Sequence, residues 1–274
     1  MATGSNNYIS TANYSKLSIA TSDAADHGLS GSASLMYKPV TDLMLYTTYA
    51  DSLQQGDVAP SGSSNAGSIL SPYRSKQYEF GSKLALDKVL LTAAVFQIKR
   101  PYAYTQNGVY ALGGRQANRG FEFMADGQLT QRVRMIGGFT WLDPRLTETG
   151  SSSTTDKQIV GLPKMTANLF TEYRLPIPQN IAVNMNAHYI GKRATDNANN
   201  YWSSGFALFD VGANYKTSVS TYPVTYRLSV SNLFDKQYWT NIVPGALTGY
   251  TGTGYASAQL GAPRMVTGSV QVEF

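Results

Sequence analysis

The sequence contains no cysteine and little charge, and both absences narrow the possible classes of protein. Without cysteine there can be no disulfide framework and no thiolate metal site. Charged residues make up 14% of the 274 residues, whereas about 25% is usual. The net charge of +5 comes from scattered Lys and Arg, and nucleic-acid binders cluster their basic residues. We therefore expect no nucleic-acid partner.

Long apolar runs are also missing. No stretch approaches the ~18 consecutive apolar residues of a membrane-spanning helix. The longest compact apolar run, residues 89–96, is interrupted by Thr92. The chain is instead rich in residues that suit strands and tight corners, with 19 tyrosines and 25 glycines.

The last segment shows the dominant pattern of the chain most clearly. Residues 264–274 read R-M-V-T-G-S-V-Q-V-E-F and alternate polar with apolar residues up to Phe274. Successive side chains of a strand point to opposite faces, so one face of this segment is apolar and the other polar. Terminal residues of soluble domains usually fray, whereas the final strand of an outer-membrane barrel must pair to close the wall.

The same two-residue alternation recurs through most of the chain. Phe209, Val211 and Ala213 share one face of their segment, with Asp210 and Asn214 on the other. Many segments have ten or more residues, whereas strands of soluble proteins average ~5–6 and a tilted membrane-spanning strand needs ~9–11. Segment 88–100 is apolar on both faces, so its orientation stays open. The predicted strands are 10–20, 28–38, 42–51, 74–86, 88–100, 108–126, 131–143, 159–174, 180–193, 202–216, 223–236 and 262–274.

The connections alternate between short and long. Short turns are predicted near residues 39–41, 87, 127–130, 176–179 and 217–222. Long loops rich in Ser, Gly, Asn and Thr are predicted near 52–73, 101–107, 144–158, 194–201 and 237–261. Outer-membrane barrels have short periplasmic turns and long extracellular loops, whereas a β-sandwich does not sort its loops by length.

We therefore predict an all-β protein. Residues 1–274 are expected to form one region, part of a transmembrane antiparallel β-barrel of about twelve strands. Its long loops would be extracellular and its short turns periplasmic. Such a barrel must be exported, yet the first residues lack the basic and apolar regions of a signal peptide. The sequence is thus expected to be a mature form, a recombinant form or a fragment.

Several local sequences resemble segments of TonB-dependent siderophore receptors, in that family's order. Residues 231–238, S-N-L-F-D-K-Q-Y, are similar to the N-[LV]-F-D-x-x-Y segment near the end of these receptors. Further similar pieces are Y-T-T-Y-A-D-S at 46–52, Y-R-S-K-Q-Y-E-F-G-S-K at 73–83, F-Q-I-K-R-P at 96–101, R-G-F-E-F-M-A-D-G at 119–127, G-L-P-K at 161–164 and the terminal G-A-P-R…F. The resemblance implies the C-terminal half of a receptor barrel in the outer membrane of a Gram-negative bacterium.

The resemblance also implies a ligand and partners. The transported ligand would be a ferric siderophore, with no resident cofactor and no metal-binding residue in the chain. The implied partners are outer-membrane lipid, the ferric siderophore, the barrel-assembly machinery acting through the strand that ends at Phe274, and the TonB system acting only through a plug domain. No plug domain or TonB box is recognisable in these residues, so we expect that they do not transport a siderophore by themselves.

Ligand contacts are expected near the extracellular strand ends, where aromatic residues and Arg suit a bulky anionic or aromatic chelate. The alternative for each aromatic residue is the interface girdle, in which Tyr and Trp anchor the headgroup zone. Trp141, which shares a face with Met135 and Phe139, is assigned to that girdle. The candidate ligand residues are Arg100, Tyr102, Tyr104, Tyr110, Arg115, Trp202 and Trp239.

Two other functions stay open. A barrel of ~12 strands that closes on itself would form a narrow pore. To close, its unpaired edge strands, 262–274 and either 10–20 or 28–38, must first pair. An outer-membrane hydrolase would need a serine activated by a base. The sequence offers His27 and His188 and no G-x-S-x-G motif, and His188 is predicted on a polar strand face. We expect no enzyme and no catalytic residue.

Overall fold

A computed structural model describes residues 29–243 and 257–273 of the chain. Within these ranges the regular structure is β-structure, and no helix is long and apolar enough to cross a membrane. The strands are β1 (Gly31–Val40), β2 (Leu43–Gln54), β3 (Tyr73–Leu86), β4 (Val89–Gln106), β5 (Val109–Gln128), β6 (Val133–Glu148), β7 (Met165–Arg174), β8 (Asn180–Ile190), β9 (Arg193–Ala194), β10 (Trp202–Ser203), β11 (Phe206–Val219), β12 (Tyr222–Ser231), β13 (Trp239–Val243), β14 (Ser257–Leu260) and β15 (Met265–Val272).

Eleven of these strands form one antiparallel sheet in the order β1-β2-β3-β4-β5-β6-β7-β8-β11-β12-β15. Each long strand therefore pairs with the next long strand in the sequence. The pairs β9–β10 and β13–β14 are small separate hairpins within long connections. Across the described ranges β1 pairs with β2 alone and β15 with β12 alone, so the sheet is open.

Eleven of the twelve predicted strands are confirmed, and the predicted strand 10–20 lies outside the described residues, as does Phe274. The short turns are confirmed as well, at 41–42, 87–88, 129–132, 175–179 and 220–221. Since the strands alternate in direction, these turns share one end of the sheet and the long connections share the other.

The predicted loop at 101–107 is wrong. Strand β4 continues through Gln106 and turns back into β5 at Asn107 and Gly108. Both turn residues have positive φ angles, 50° and 82°, which two-residue hairpin turns of the Asn-Gly type require. Hairpin β4–β5 is therefore long, and its ladder runs from Val89–Gly127 to Gln106–Val109 with one register shift after Tyr102.

One face of the sheet is an apolar surface that continues from strand to strand. Phe80, Val95, Phe121, Trp141 and Met165 lie side by side on β3 to β7. Phe80 and Trp141 are 55% and 51% exposed, although large exposed apolar patches are unusual in soluble proteins. We call this the apolar face. Its existence and the place of Trp141 on it confirm the predicted alternation.

On β11, β12 and β15 the same face carries Val211, Val230 and Val266 in one row. Asn214 and Arg227 pair on the opposite side, the polar face, where the predicted residues His188 and Asn168 also pair. The two faces keep their character along both halves of the sheet.

Strand β4, whose orientation the sequence left open, has Val95 on the apolar face and Phe96 on the polar face. Phe96 fits there because it covers a glycine: a Cβ on Gly120 would lie 2.4 Å from Phe96 Cζ. Tyr46 covers Gly81 in the same way, at 2.5 Å, and its hydroxyl donates to Glu79 Oε1 at 2.8 Å. These two aromatic rings on the polar face therefore pack closely against glycine backbone.

Replacing Gly120 with alanine should destabilise the sheet by about 1–3 kcal/mol, since overpacking costs that much when the neighbours cannot yield. The added Cβ would meet both the Phe96 ring and the backbone oxygen of Trp141, 2.9 Å away. The measurement is the urea midpoint of the detergent-solubilised protein by tryptophan fluorescence. The control is Gly268→Ala, which meets nothing within 4 Å. Equal midpoints for both variants would contradict the close-packing argument.

Val211→Arg should impair membrane insertion, whereas Asn214→Arg should be tolerated. Val211 lies on the apolar face between Met185 and Val230, and a charge on a lipid-facing strand position costs about 2–4 kcal/mol at the bilayer midplane. Asn214 pairs with Arg227 on the polar face. The measurement is the heat-modifiable, folded fraction of each variant in the outer membrane. Equal damage from both substitutions would show that the faces are not distinct.

Candidate functional site

The candidate site lies at the end of the sheet with the long connections, where Arg100 and Tyr102 are on the polar face. Strand β3 pairs with β4 as far as Lys76 and Lys99, while the β4–β5 ladder continues to Gln106 and Val109. Hairpin β4–β5 therefore projects beyond its neighbour. One residue of β5, Gly113, is left unmatched where the register shifts after Tyr102. Such a bulge bends the strand and redirects its side chains.

Three tyrosines come together beside this hairpin. Tyr73 from β3 and Tyr102 from β4 lie close enough to Tyr110 from β5 to influence its ionisation. Asp57, from the β2–β3 connection, acts electrostatically on all three, and Arg100 acts on Tyr73 and Tyr102. We call Tyr73, Tyr102, Tyr110, Asp57 and Arg100 the tyrosine cluster.

The β2–β3 connection is fastened to the hairpin by Asn65. Its Oδ1 accepts a hydrogen bond from the backbone nitrogen of Tyr110 at 2.9 Å, and its Nδ2 donates to the Tyr110 carbonyl at 2.8 Å. The backbone nitrogen of Ser64 also donates to the carbonyl of Gly108 at 2.7 Å. These bonds hold the loop that carries Asp57 against the tip of the hairpin.

Two amide side chains complete the surroundings of the cluster. With its oxygen turned toward the guanidinium, Gln116 accepts hydrogen bonds from Arg100 Nε and from Arg100 Nη2, the latter at 2.7 Å. Asn197, 3% exposed, lies beside Tyr102. A side-chain hydrogen bond between Asn197 and Tyr102 acts on the ionisation of the tyrosine. The site therefore contains a buried amide next to a tyrosine hydroxyl.

Burial keeps the tyrosines of the cluster protonated. It raises the pKa of Tyr110 to about 12, and the Asp57 carboxylate adds to the shift. Burial also raises the pKa of Tyr102, although Asn197 and Arg100 oppose it, and burial raises the pKa of Tyr73. At neutral pH the cluster thus presents three neutral hydroxyls, each able to donate and to accept, beside a permanent cation.

The structure buries Tyr104 and places Arg115 on the other side of the sheet. Tyr104 is 8% exposed and packs with Leu146 of β6, and Tyr102 of the cluster packs against this pair. Arg115 pairs with Pro101 on the side of the sheet that carries the apolar face, and its Nε forms an ion pair with Glu148 at 3.2 Å. The prediction that these two residues contact a ligand stays a prediction.

Trp202 and Trp239 lie on the two small hairpins. Trp202 Nε1 donates to the Asn199 carbonyl at 2.9 Å, and Lys192 Nζ lies 4.8 Å from the centre of its ring. The Trp239 carbonyl accepts a hydrogen bond from Arg193, which also donates to Thr240 at 3.1 Å. Arg193 therefore ties the two long connections together, with a tryptophan on each side.

Sequence reasoning missed Tyr73, Asp57, Asn65, Asn197 and Arg193. Tyr73 begins one of the motifs quoted above, so its motif was noticed but its role was not. The other four lie in or beside long polar connections. Their positions depend on contacts between separate loops, and no local spacing encodes such contacts.

His188 is placed on the polar face, as predicted. Its Nδ1 bonds to Asn168 Oδ1 on the neighbouring strand, and its ring packs 6.5 Å from that of Phe206. Within the described residues no serine is recorded as its hydrogen-bond partner, so the arrangement is that of a cross-strand polar pair.

The model of the TonB dependent receptor-like, beta-barrel family matches residues 3–233. The chain belongs to this family. TonB-dependent receptors are outer-membrane proteins of Gram-negative bacteria and act as receptors and transporters.

Individual members of the family are similar over most of this chain. Ferrichrome receptor FcuA of Yersinia enterocolitica is 27% identical over 88% of the chain, and probable TonB-dependent siderophore receptor PiuA of Acinetobacter baumannii is 30% identical over 76%. The crystal structure of BauA, the ferric preacinetobactin receptor of Acinetobacter baumannii, is 33% identical over 89% of the chain, with a TM-score of 0.74. The chain spans 31% and 30% of the two curated relatives and 36% of BauA.

Stability should fall between about pH 10 and pH 12, and Tyr110→Phe should weaken that fall. The raised pKa of Tyr110, about 12 against an ordinary 10.0, means that the folded state keeps a proton that the unfolded state has lost. Its contribution is complete below the unfolded pKa and is lost as pH rises through the folded one. The measurement is the urea midpoint of the wild type and of the variant across this pH range.

The control is Tyr201→Phe, at a side chain that is 72% exposed. The same alkaline loss of stability in the wild type and in the Tyr110→Phe variant would show that burial of Tyr110 has no part in it.

Proposed function

We propose that this chain is the barrel part of an outer-membrane TonB-dependent receptor that takes up a ferric siderophore. Membership of the receptor family supports the proposal. So do the relatives, whose names specify receptors for ferrichrome and for ferric preacinetobactin. The observation that carries the proposal for this chain is the tyrosine cluster, at the end of the sheet with the long connections.

The chemistry of the cluster suits an oxygen-rich iron chelate. Siderophore oxygens that bind ferric iron carry partial negative charge and accept hydrogen bonds. Neutral Tyr102 and Tyr110 hydroxyls can donate to them, and Arg100 can add a charge-assisted bond. The buried amide of Asn197 is the hydrogen-bond partner of Tyr102 and holds that side chain in place. Iron is the cargo in this proposal, and the siderophore, not the protein, coordinates it.

The proposal also fixes the orientation of the chain. The apolar face contacts outer-membrane lipid, the long connections lie outside the cell, and the short turns lie in the periplasm. Strand β15 would be the strand that the barrel-assembly machinery recognises. Energy from the TonB system would reach the barrel through a plug domain. Each open edge, at β1 and at β15, needs a partner strand before the sheet is stable in hydrocarbon.

Substituting both Arg100 and Tyr102 with alanine should weaken siderophore binding by about tenfold or more, since hydrogen bonds to charged groups contribute roughly 1.5–3 kcal/mol each. The measurement uses iron-starved cells in which the full protein, as the genome encodes it, is the sole siderophore receptor. It follows the accumulation of radioactive iron that is supplied as ferric siderophores. Surface levels are compared by immunoblot. The control is Arg174→Ala, on β7 at the end with the short turns.

Single alanine variants of Tyr104, Tyr110, Arg115, Trp202 and Trp239 complete the series, because the sequence predicted them as ligand contacts. Unchanged uptake by the Arg100 and Tyr102 variant, at equal surface level, would remove the tyrosine cluster from the ligand site. Loss of uptake in Arg174→Ala alone would move recognition to the other end of the sheet.

A further inference from the structure

Three of the long connections meet at Arg193. They are the β6–β7 connection (149–164), the β8–β11 connection (191–205) and the β12–β15 connection (232–264), which carries hairpin β13–β14. Arg193, on β9, donates to the carbonyl of Trp239 and, at 3.1 Å, to that of Thr240, both on β13. The carbonyl of the next residue, Ala194, accepts a hydrogen bond from the backbone nitrogen of Gly161 at 3.0 Å. Two consecutive residues of the β8–β11 connection therefore bind the other two connections.

The β6–β7 connection also contacts hairpin β13–β14 directly. Gly161 has a φ angle of 79°, and a Cβ added to it would overlap the carbonyl oxygen of Ile242 on β13. Ile242 is itself buried, at 5% exposed. We call Arg193, Ala194, Gly161 and Ile242 the loop junction. Each of the three connections thus touches both of the others there.

Arg193 is a costly residue for a position that only needs to be filled. It is 3% exposed, and in the part of the chain that the structure describes no carboxylate lies within ion-pair distance of it. Burial lowers its pKa, and its guanidinium lies 5.7 Å from the centre of the Phe206 ring. An apolar side chain would fill this space at a smaller desolvation cost. It could not, however, bind two consecutive carbonyls with a planar fork of donors, and this binding fixes where β13 lies.

The turn that follows the loop junction, residues 195–201, is held rigid by its own hydrogen bonds. The backbone nitrogen of Thr195 donates to the carbonyl of Tyr201 at 3.0 Å. The Asp196 carboxylate accepts hydrogen bonds from the backbone nitrogens of Asn200, at 3.2 Å, and of Tyr201, at 2.8 Å. The turn therefore moves as one unit with the residues at its base.

This turn connects the loop junction to the tyrosine cluster. Asn197, within the turn, is buried and is hydrogen-bonded to the side chain of Tyr102. Asn199 fastens the turn to the β6–β7 connection. Its Oδ1 accepts from the backbone nitrogen of Gln158 at 2.7 Å, and its Nδ2 donates to the Gln158 carbonyl at 2.9 Å. The position of Asn197 beside Tyr102 thus depends on how the connections are docked together.

We propose that Arg193 is a positioning residue for the ligand site: by docking hairpin β13–β14 onto the β8–β11 connection, it keeps Asn197 against Tyr102. The inference rests on the proposed function, in which Tyr102 contacts the siderophore. Without the guanidinium, the two β13 carbonyls lose their donors and must find water instead. The hairpin then separates from the junction and the turn that carries Asn197 gains freedom. A site that must be ordered on binding holds its ligand less tightly than one that is already ordered.

The test measures uptake of radioactive iron against the concentration of ferric siderophore, in cells whose sole siderophore receptor is the full protein. Arg193→Ala should raise the half-saturating concentration about tenfold, the size expected when one or two side chains must be reordered on binding. The maximal rate should stay unchanged at equal surface level. Arg193→Lys should restore part of the loss, since an ammonium group keeps the charge but not the fork.

The matched control is Arg145→Ala. The Nη1 of Arg145 also donates to a backbone carbonyl, that of Asp156 at 2.6 Å, but this bond joins β6 to the connection that follows it and lies outside the loop junction. The control should leave the half-saturating concentration as in the wild type.

A second measurement follows the docking itself. The sequence contains no cysteine, so cysteines introduced at the exposed residues Ser204 and Ser257 give one spin-label pair within it. This pair reports the distance between the β8–β11 connection and hairpin β13–β14 by pulsed electron paramagnetic resonance. We expect a narrow distance distribution in the wild type and in the control, and a broad one in Arg193→Ala that ferric siderophore narrows.

An unchanged half-saturating concentration in Arg193→Ala would overturn the proposal, whether or not the distance distribution broadens. A lower maximal rate alone would also overturn it, because Arg193 would then serve only assembly of the protein. If Arg193→Ala does not reach the surface, Gly161→Ala tests the same junction from the β6–β7 side, and normal half-saturation in that variant counts against the proposal. Absence of iron uptake by the wild type would remove the proposed function itself, so the two failures are distinguishable.

Discussion

The antiparallel backbone ladder is the constraint on which the rest of this structure depends. Every strand from β2 to β12 in the main sheet is bonded on both sides, and each pair is in a defined register. Water cannot satisfy backbone groups inside a bilayer, so a sheet that crosses one must satisfy them by pairing. Once the register is set, the two-residue period of side chains assigns every residue to a face. The apolar face and the polar face both follow from that assignment.

The polar face adds a second constraint, because bulky side chains there crowd the backbone of their neighbours. Phe96 over Gly120 and Tyr46 over Gly81 show how it is met. A ring laid across a residue without a side chain covers exposed backbone and fills little space above the sheet. The abundance of both tyrosine and glycine is thus explained by one packing arrangement, in which a ring lies over a glycine. This arrangement leaves room for charged residues such as Glu79 and Lys83 on the same face.

Periodicity and turn residues were sufficient to predict the strands, because both are local properties of the sequence. The alternation of polar and apolar residues located eleven strands. The lengths of the connections correctly separated the end of the sheet with short turns from the end with long connections. The hairpin turn at Asn107 and Gly108 was also readable, since Asn-Gly is a strong hairpin signal, but the sequence argument read this segment as a loop. The candidate site was harder to predict from the sequence. Arg100, Tyr102 and Tyr110 were predicted, whereas Asp57 and Asn197 reach them from loops that are distant in sequence.

Strand β4 carries cations on both sides of the sheet, so its register matters beyond stability. Lys99 and Arg100 are adjacent, and a slip of one residue would move Lys99 to the polar face and Arg100 to the side that carries the apolar face. The ladder below them, from Lys76–Lys99 to Leu86–Val89, is continuous and leaves no slack. In the β4–β5 ladder the register shifts only after Tyr102, at Gly113, beyond both cations. The bulge can therefore bend the hairpin tip without exchanging Lys99 and Arg100 between the two faces of the sheet.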